Sequence, residues 1–289
     1  MNVPEAVDQY IESLIEESRS PHTVGAYRRD LRAFTLFTGE VDLDSITPAL
    51  LQRFMASESV QVGPCGTQRA KATINRYRVA VKALFAFCEA RWLVTRNPTS
   101  ILRCQRQRGL PPVVLDATEI TRLVKGEFSG PTGQRDHALV SFMLLTGCRL
   151  AETAALNVDN IDLKVRVAVL RTTKGGDPDR VLLSPQLSRI LAAYIGRNAE
   201  PNSPLFTAAD RRLSTRQIQR IITQRVCEAG IDKPITAHSL RHSFATRLYN
   251  RTGDIRLVQI ALRHSHVTTT EVYAQVEPTR WRNAIAEIA

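Results

Sequence analysis

The stretch LRHSHVTTTEVY, residues 262–273, places His264 and His266 two apart and Tyr273 nine residues after the first histidine. Such a stretch could hold a metal, pack in a core, or belong to a catalytic centre. A second stretch, AHSLRHSFATRLYN, reads as a helix on which His238 and Arg241, three apart, are neighbours. His238 and His242 stand four apart, the spacing of a helical zinc site. The glutamate of H-E-x-x-H is missing, however, since Ser239 follows His238, and the cation of Arg241 would oppose a dication. His242 is therefore read as a structural histidine. In LLTGCRLAE, Gly147 ends an apolar run, Arg149 follows, and Glu152 is placed three residues on to bond or orient it. Lys174 sits at the tip of the turn KGGD. Taken singly, each feature has an ordinary explanation: a helix cap with a surface ion pair, a solvated turn lysine, a packed tyrosine.

The elements that must position these residues are mostly helices. The chain has 289 residues, 43% of them hydrophobic, enough for one large domain or two of ordinary size. No apolar run approaches the roughly 18 residues of a membrane span. The acidic, amphipathic start MNVPEAVDQYIESLIEES does not fit a signal or transit peptide. The expectation is a cytoplasmic, nucleoid-associated protein with no membrane partner. Cys65, Cys88, Cys104, Cys148 and Cys227 are scattered, form no C-x-x-C pair, and read as reduced thiols. A net charge of +11 points to a polyanionic partner, nucleic acid first.

Helical spacing runs through the first hundred residues, beginning with Val7, Tyr10, Ile11, Leu14 and Ile15. Ser20 or Thr23 starts a second helix that Gly39 stops, and Thr47-Pro48 starts a third. The fourth, over about 67–91, carries Lys71, Arg78 and Lys82 on one flank, with Arg69 and Arg76 on its back. The proline-flanked basic run 103–112 reads as a linker, which gives a helical domain over 1–102 and a second domain over 113–289. There, helices are expected near 116–125, 133–146, 185–195, 214–229, 237–250, 255–262 and 278–288. Alternation at Val165, Val167 and Val169, and again over 180–183, predicts a small β-hairpin around Lys174.

Jointly, the order Arg149, Lys174, His238-x-x-Arg241, His264 and Tyr273 resembles the tyrosine recombinases, or phage-type integrases. TGCRLAE is similar to that family's first-arginine box, HSLRHSFAT to its H-x-x-R box, and GDIRLVQIALRHSHVTTTEVY to the block that ends the catalytic domain. The resemblance covers nearly the whole chain and is strongest to compact Xer, plasmid-resolvase and transposon-integrase members. One position departs: the family usually has glycine before the second histidine, and this chain has Arg263.

The fold this resemblance implies is mainly α with a small β-hairpin or sheet. It is a two-domain DNA clamp, with an N-terminal four-helix core-binding domain and an α+β catalytic domain. The implied nucleophile is Tyr273, which leaves a 3′-phosphotyrosyl link. Arg149 and Arg241 would bind the non-bridging oxygens, Lys174 would protonate the 5′-oxygen, and His238 would assist proton transfer. His264 would bond the phosphate or place the tyrosine, and Glu152 would hold Arg149 and His238 in order. No metal, ATP or other cofactor is implied. Lys71, Arg76, Arg78 and Lys82, with Arg216, Gln217 and Arg220 on STRQIQRIITQR, are the expected DNA contacts. The implied partners are duplex recombination sites, three further copies in a tetramer joined by the helix over 278–288 docking in trans, and accessory DNA-bending or directionality proteins. A type IB topoisomerase shares the nucleophile chemistry, but the short N-terminal domain argues against it. A non-catalytic DNA-binding protein is opposed by the intact residue set, and a zinc hydrolase using His238, His242, His264 or His266 by the missing glutamate.

Overall fold

The computed structural model describes residues 1–104, 111–126, 130, 132–170, 178–196 and 200–263. The first three helices start on local capping chemistry. α1 (Val3–Glu16) opens on a capping box: the Glu5 N–H donates to the Asn2 side chain, and the Asn2 N–H donates to the Glu5 carboxylate. Ser20, rather than Thr23, caps α2 (Pro21–Thr38), which stops at Gly39 with φ 71°. Thr47 caps α3 (Pro48–Ala56), with Pro48 in the first turn. A single-turn helix, α4 (Glu58–Gln61), follows.

α5 (Lys71–Ala90) begins later than the expected residue 67. Val62 and Gln68 pair as an antiparallel bridge, and the Arg69 N–H donates to the Gln61 carbonyl at 2.7 Å. Gly66, at φ 71°, turns the chain between them. Residues 62–69 thus commit their backbone to a small hairpin before the helix can start.

The core of this unit is aromatic. Phe34, Phe54 and Phe85 are fully buried beside Leu31 and Leu84, with the Phe34 and Phe54 rings 5.0 Å apart. One buried carboxylate lies among them. Asp30, 2% exposed, accepts from Arg76 Nε at 2.6 Å and Nη2 at 2.9 Å, a two-pronged ion pair between α2 and α5. Arg76 therefore serves the fold, because a carboxylate out of water requires a cation beside it.

The second unit is arranged around α7 (Gly133–Thr146), apolar on nearly every side, with Leu139, Val140, Phe142 and Met143 all buried. α6 (Ala117–Lys125), capped by Asp116 and Glu119, packs on it. α8 (Leu150–Ala155) follows the turn after α7. Strands β1 (Ile161–Asp162), β2 (Val167–Leu170) and β3 (Asp179–Leu182) form an antiparallel sheet in that order, with Ala168 opposite Val181 and Leu170 opposite Asp179. The valine alternation does not mark the core face. Val165 is 67% exposed in a turn where Arg166 takes φ 55°, while Ala168 and Leu170 point inward. The strand has period two, so the valines at 167 and 169 fall on the other face.

α9 (Pro185–Ile195) packs on α7. A second small ribbon, β4 (Thr207–Ala208) with β5 (Arg211–Arg212), precedes α10 (Thr215–Glu228), α11 (Ala237–Thr252) and α12 (Ile255–Leu262). The chain divides into two compact units, Met1–Gly109 and Leu110–Ala289. Among the described residues, no helix is long and apolar enough to cross a membrane.

The Asp30–Arg76 pair gives a direct stability test. Arg76→Ala leaves a carboxylate buried without its cation and should lower unfolding free energy by about 1–3 kcal/mol, discounted because the arginine is half exposed. Urea denaturation measures this; an unchanged midpoint would show that the pair does not hold α2 to α5.

Candidate active site

α7 ends in a left-handed cap at Gly147, φ 64°, whose N–H closes on the Met143 carbonyl at 3.0 Å. Glycine is needed here twice over. A Cβ would strain the backbone, and it would also lie 2.6 Å from Phe244 Cδ1 and 3.0 Å from Leu262 Cδ2. α11 and α12 therefore press directly on this turn.

Arg241 fastens the contact. It is 4% exposed and donates from Nη1 to the Gly147 carbonyl and from Nη2 to the Leu262 carbonyl, each at 2.6 Å. Both acceptors lie at helix ends, where carbonyls have no intrahelical partner and the dipole favours a cation. One guanidinium thus joins the end of α7, the interior of α11 and the end of α12. Leu240 is fully buried on α11, but Phe244 and Leu248 are only partly covered; the space beside them on the helix is taken by Arg241 and Ser243.

Arg149 begins α8, two residues beyond Gly147. Its backbone N–H donates to Glu152 Oε2 and its Nη1 to Glu152 Oε1, both at 2.7 Å, as the three-residue spacing suggests. Its Nη2 also lies 3.4 Å from the Arg263 carbonyl. Arg149 remains nearly half exposed, so it is the more accessible of the two arginines.

The Glu152 carboxylate has a second cation. Arg263 Nη2 donates to Oε2 at 2.6 Å. Burial opposes ionisation of Glu152, but the Arg149 N–H and the Arg263 and Arg149 guanidiniums outweigh it and hold the pKa below the usual glutamate value. The partner that the family resemblance suggested for Glu152 was His238 together with Arg149; in the structure, Arg263 shares the carboxylate with Arg149. Arg263 itself ends α12 in the left-handed region, φ 56° and ψ 46°, the conformation a glycine would adopt without cost.

His238 lies in the first turn of α11, and its ring stands edge-on to that of His242, centroids 4.3 Å apart. Burial, and then the charge of Arg241, lower the His238 pKa, which favours the neutral ring that can accept a proton. His242 is pushed to about 4 by burial, His238 and Arg241, as suits a structural histidine. Among the described residues, no group of three His, Cys, Asp or Glu side chains is placed to share a metal ion.

Lys174, His264, His266 and Tyr273 lie outside the described residues, as does the helix expected over 278–288. Their flanks are described: β2 and β3 bracket the Lys174 segment, and α12 with Arg263 leads into His264. Among the expected DNA contacts, Lys71, Lys82, Arg216 and Arg220 are exposed. Arg78 is half-buried and donates to Asn75. Gln217 is occupied by capping α10, accepting from the Ser214 N–H and hydroxyl. The serine three residues before a glutamine was the signal for this role.

The chain matches the family model described as Phage integrase family over residues 113–280, and that described as Phage integrase, N-terminal SAM-like domain, over residues 7–91. The chain belongs to the phage integrase family. This integrase-family chain is 30% identical to tyrosine recombinase XerC of Alcanivorax borkumensis, over 96% of its own length and 91% of the relative's. It is similar to the crystal structure of XerA recombinase, with 26% identity, a TM-score of 0.54 and coverage of 99% and 98% of the two chains. Its fold also matches the Tn1549 transposon integrase solved in complex with circular intermediate DNA, with a TM-score of 0.76 at 19% identity over 97% and 98%.

The histidine pair gives a pH dependence of definite sign. The folded pKa of His242, about 4, lies below the ordinary 6.5, so its contribution to stability is complete above pH 6.5 and is lost as pH falls toward 4. The urea midpoint should therefore drop on acidification, and drop less steeply for His242→Asn. Equal acid slopes in the two proteins would remove His242 as a source.

Proposed function

We propose that this integrase acts as a site-specific DNA recombinase that cuts and rejoins strands through a 3′-phosphotyrosyl intermediate on Tyr273, in integration or in resolution of mobile elements or replicon dimers. The observation that carries the reading is the meeting of Arg149 and Arg241 at the end of α12, directly before the segment of His264 and Tyr273. Residues far apart in sequence are thereby collected around one position where a phosphate would find fixed positive charge.

In the proposed step, the Tyr273 oxygen attacks the scissile phosphorus as the bond to the 5′-oxygen breaks. A free phenol has a pKa of about 10, so the attack needs a cationic field and a proton acceptor. Arg149 and Arg241 stabilise charge on the non-bridging oxygens; guanidinium is always ionised and can bind two oxygens as a fork. His238, biased to the neutral form, receives the phenolic proton or passes it on. Lys174 supplies the proton that leaves with the 5′-hydroxyl, and His264 bonds the phosphate or places the tyrosine. The ester conserves the energy of the broken bond, so a 5′-hydroxyl can reverse the step without ATP, and the cations supply the charge that a metal would otherwise bring.

The partner is duplex DNA, in keeping with the net charge of +11 and with the DNA-bound Tn1549 integrase of the same fold. Residues 1–102 and 113–289 act as the two halves of a clamp joined by the linker at 103–112. Lys71, Lys82, Arg216 and Arg220 are the side chains best exposed for phosphate contact, with Arg78 on the same helix as Lys71 and Lys82. Recombination between two sites requires a tetramer, with the helix over 278–288 docking on a neighbouring copy and accessory bending or directionality proteins setting the outcome.

A nicked suicide duplex carrying the recombination site, run on a denaturing gel, tests the reading. A covalent adduct on the 3′ side of the break is expected from the parent and none from Tyr273→Phe. An adduct persisting in the variant would overturn the assignment of the nucleophile.

A further inference from the structure

Arg263 stands where the resemblance to the tyrosine recombinases leads one to expect a glycine. The backbone there is left-handed, so an arginine accepts a conformation that costs a glycine nothing. Its side chain is nonetheless only 9% exposed and turned into the protein rather than toward solvent. The guanidinium meets three separate segments. Nη2 donates to Glu152 Oε2 at 2.6 Å, in the first turn of α8. Nη2 also lies 3.9 Å from the Cys148 sulfur, in the turn before Arg149. Nε lies 3.6 Å from Asp179 Oδ2, at the start of β3, the strand that follows the Lys174 segment.

Charge balance sharpens the point. Arg149 and Glu152 alone form a neutral pair, and a carboxylate touching Arg149 weakens the field that Arg149 can present to an anion. Arg263 is a second cation on the same carboxylate, so the trio carries one net positive charge, which the longer contact to the more exposed Asp179 offsets only in part. Because it occupies Oε2 while Arg149 Nη1 occupies Oε1, it also fixes the plane of the carboxylate and hence the direction of the Arg149 side chain.

We propose that Arg263 is a positioning residue for the strand-cleavage reaction. It locks Glu152, and through it Arg149, to the start of the His264 segment and to β3, and it restores the positive charge that Glu152 removes. The proposal rests on the recombinase reading above and deepens it. Its effect should appear in the rate of the chemical step rather than in DNA affinity, because Arg263 acts through Glu152 and not on the DNA itself.

The test measures adduct formation on the suicide duplex in single turnovers over a range of protein concentrations, which separates the saturated rate from half-saturation. Three variants are compared with the parent. Arg263→Gly suits the left-handed backbone, which offsets part of the lost ion pair, and its melting temperature shows that the variant is folded. Arg263→Lys keeps the charge, and Arg263→Met keeps comparable volume without it. The expected result is a saturated rate at least tenfold lower for Arg263→Gly and Arg263→Met, with half-saturation within twofold of the parent, and recovery to within about threefold in Arg263→Lys. A saturated rate in Arg263→Gly equal to the parent's would overturn the proposal, as would equal rates in the Lys and Met variants. A parent that forms no adduct at Tyr273 would instead overturn the recombinase reading.

Discussion

A buried guanidinium holds the catalytic unit together. Arg241 is shut away from water, and a charge in that setting is tolerable only with close partners. Those partners are the last free carbonyls of two helices, Gly147 at the end of α7 and Leu262 at the end of α12. Helix ends must find donors, and a cation at a C-terminus is favoured by the dipole. One side chain meets both needs, and in doing so decides where the chain stands when it enters the His264 segment. The absence of a side chain at Gly147 allows Phe244 and Leu262 to close on the turn.

Around this clasp the charges are unequal in number. Arg149 and Arg263 bond a single buried carboxylate, Glu152, and keep it ionised against the cost of burial, while Arg241 adds a third cation at the neighbouring helix ends. The surplus is positive and is held by packed helices rather than by mobile surface chains. Fixed charge of this kind need not reorganise as a phosphoryl centre gains negative charge, which makes it more effective than the same groups in water. Burial, and then the charge of Arg241, bias His238 toward the neutral ring, so Arg241 serves both the anion and the proton.

Much of this was legible in the sequence where a local rule governed. The starts at Ser20, Thr47 and Asp116, and the glycine stop at Gly39, put these helix ends within a residue or two of their expected places. The spacing of Arg149 and Glu152 predicted their ion pair. What escaped depended on partners distant in the chain. Nothing near Arg76 announces Asp30 as its counter-ion. The late start of α5 follows from a bridge between Val62 and Gln68. The valine pattern gave the strand but not its inward face, because burial of Ala168 and Leu170 is decided by the layer beneath the sheet. Arg263 stood out by type, yet its link to Glu152 joins residues more than a hundred positions apart.

The central claim is that Arg149 and Arg241 are held where they neutralise charge on a scissile phosphate. Replacing that phosphate in a suicide duplex by a methylphosphonate removes one negative oxygen and with it much of the need for a cation. The account predicts that Arg149→Ala forms almost no adduct on the ordinary phosphate but regains strand cleavage on the methylphosphonate, by about a hundredfold or more relative to its phosphate rate, the scale of losing one charge-stabilising group. If Arg149→Ala remained equally inactive on both substrates while the parent cleaved them, the arginine would have some other role and the account would be contradicted.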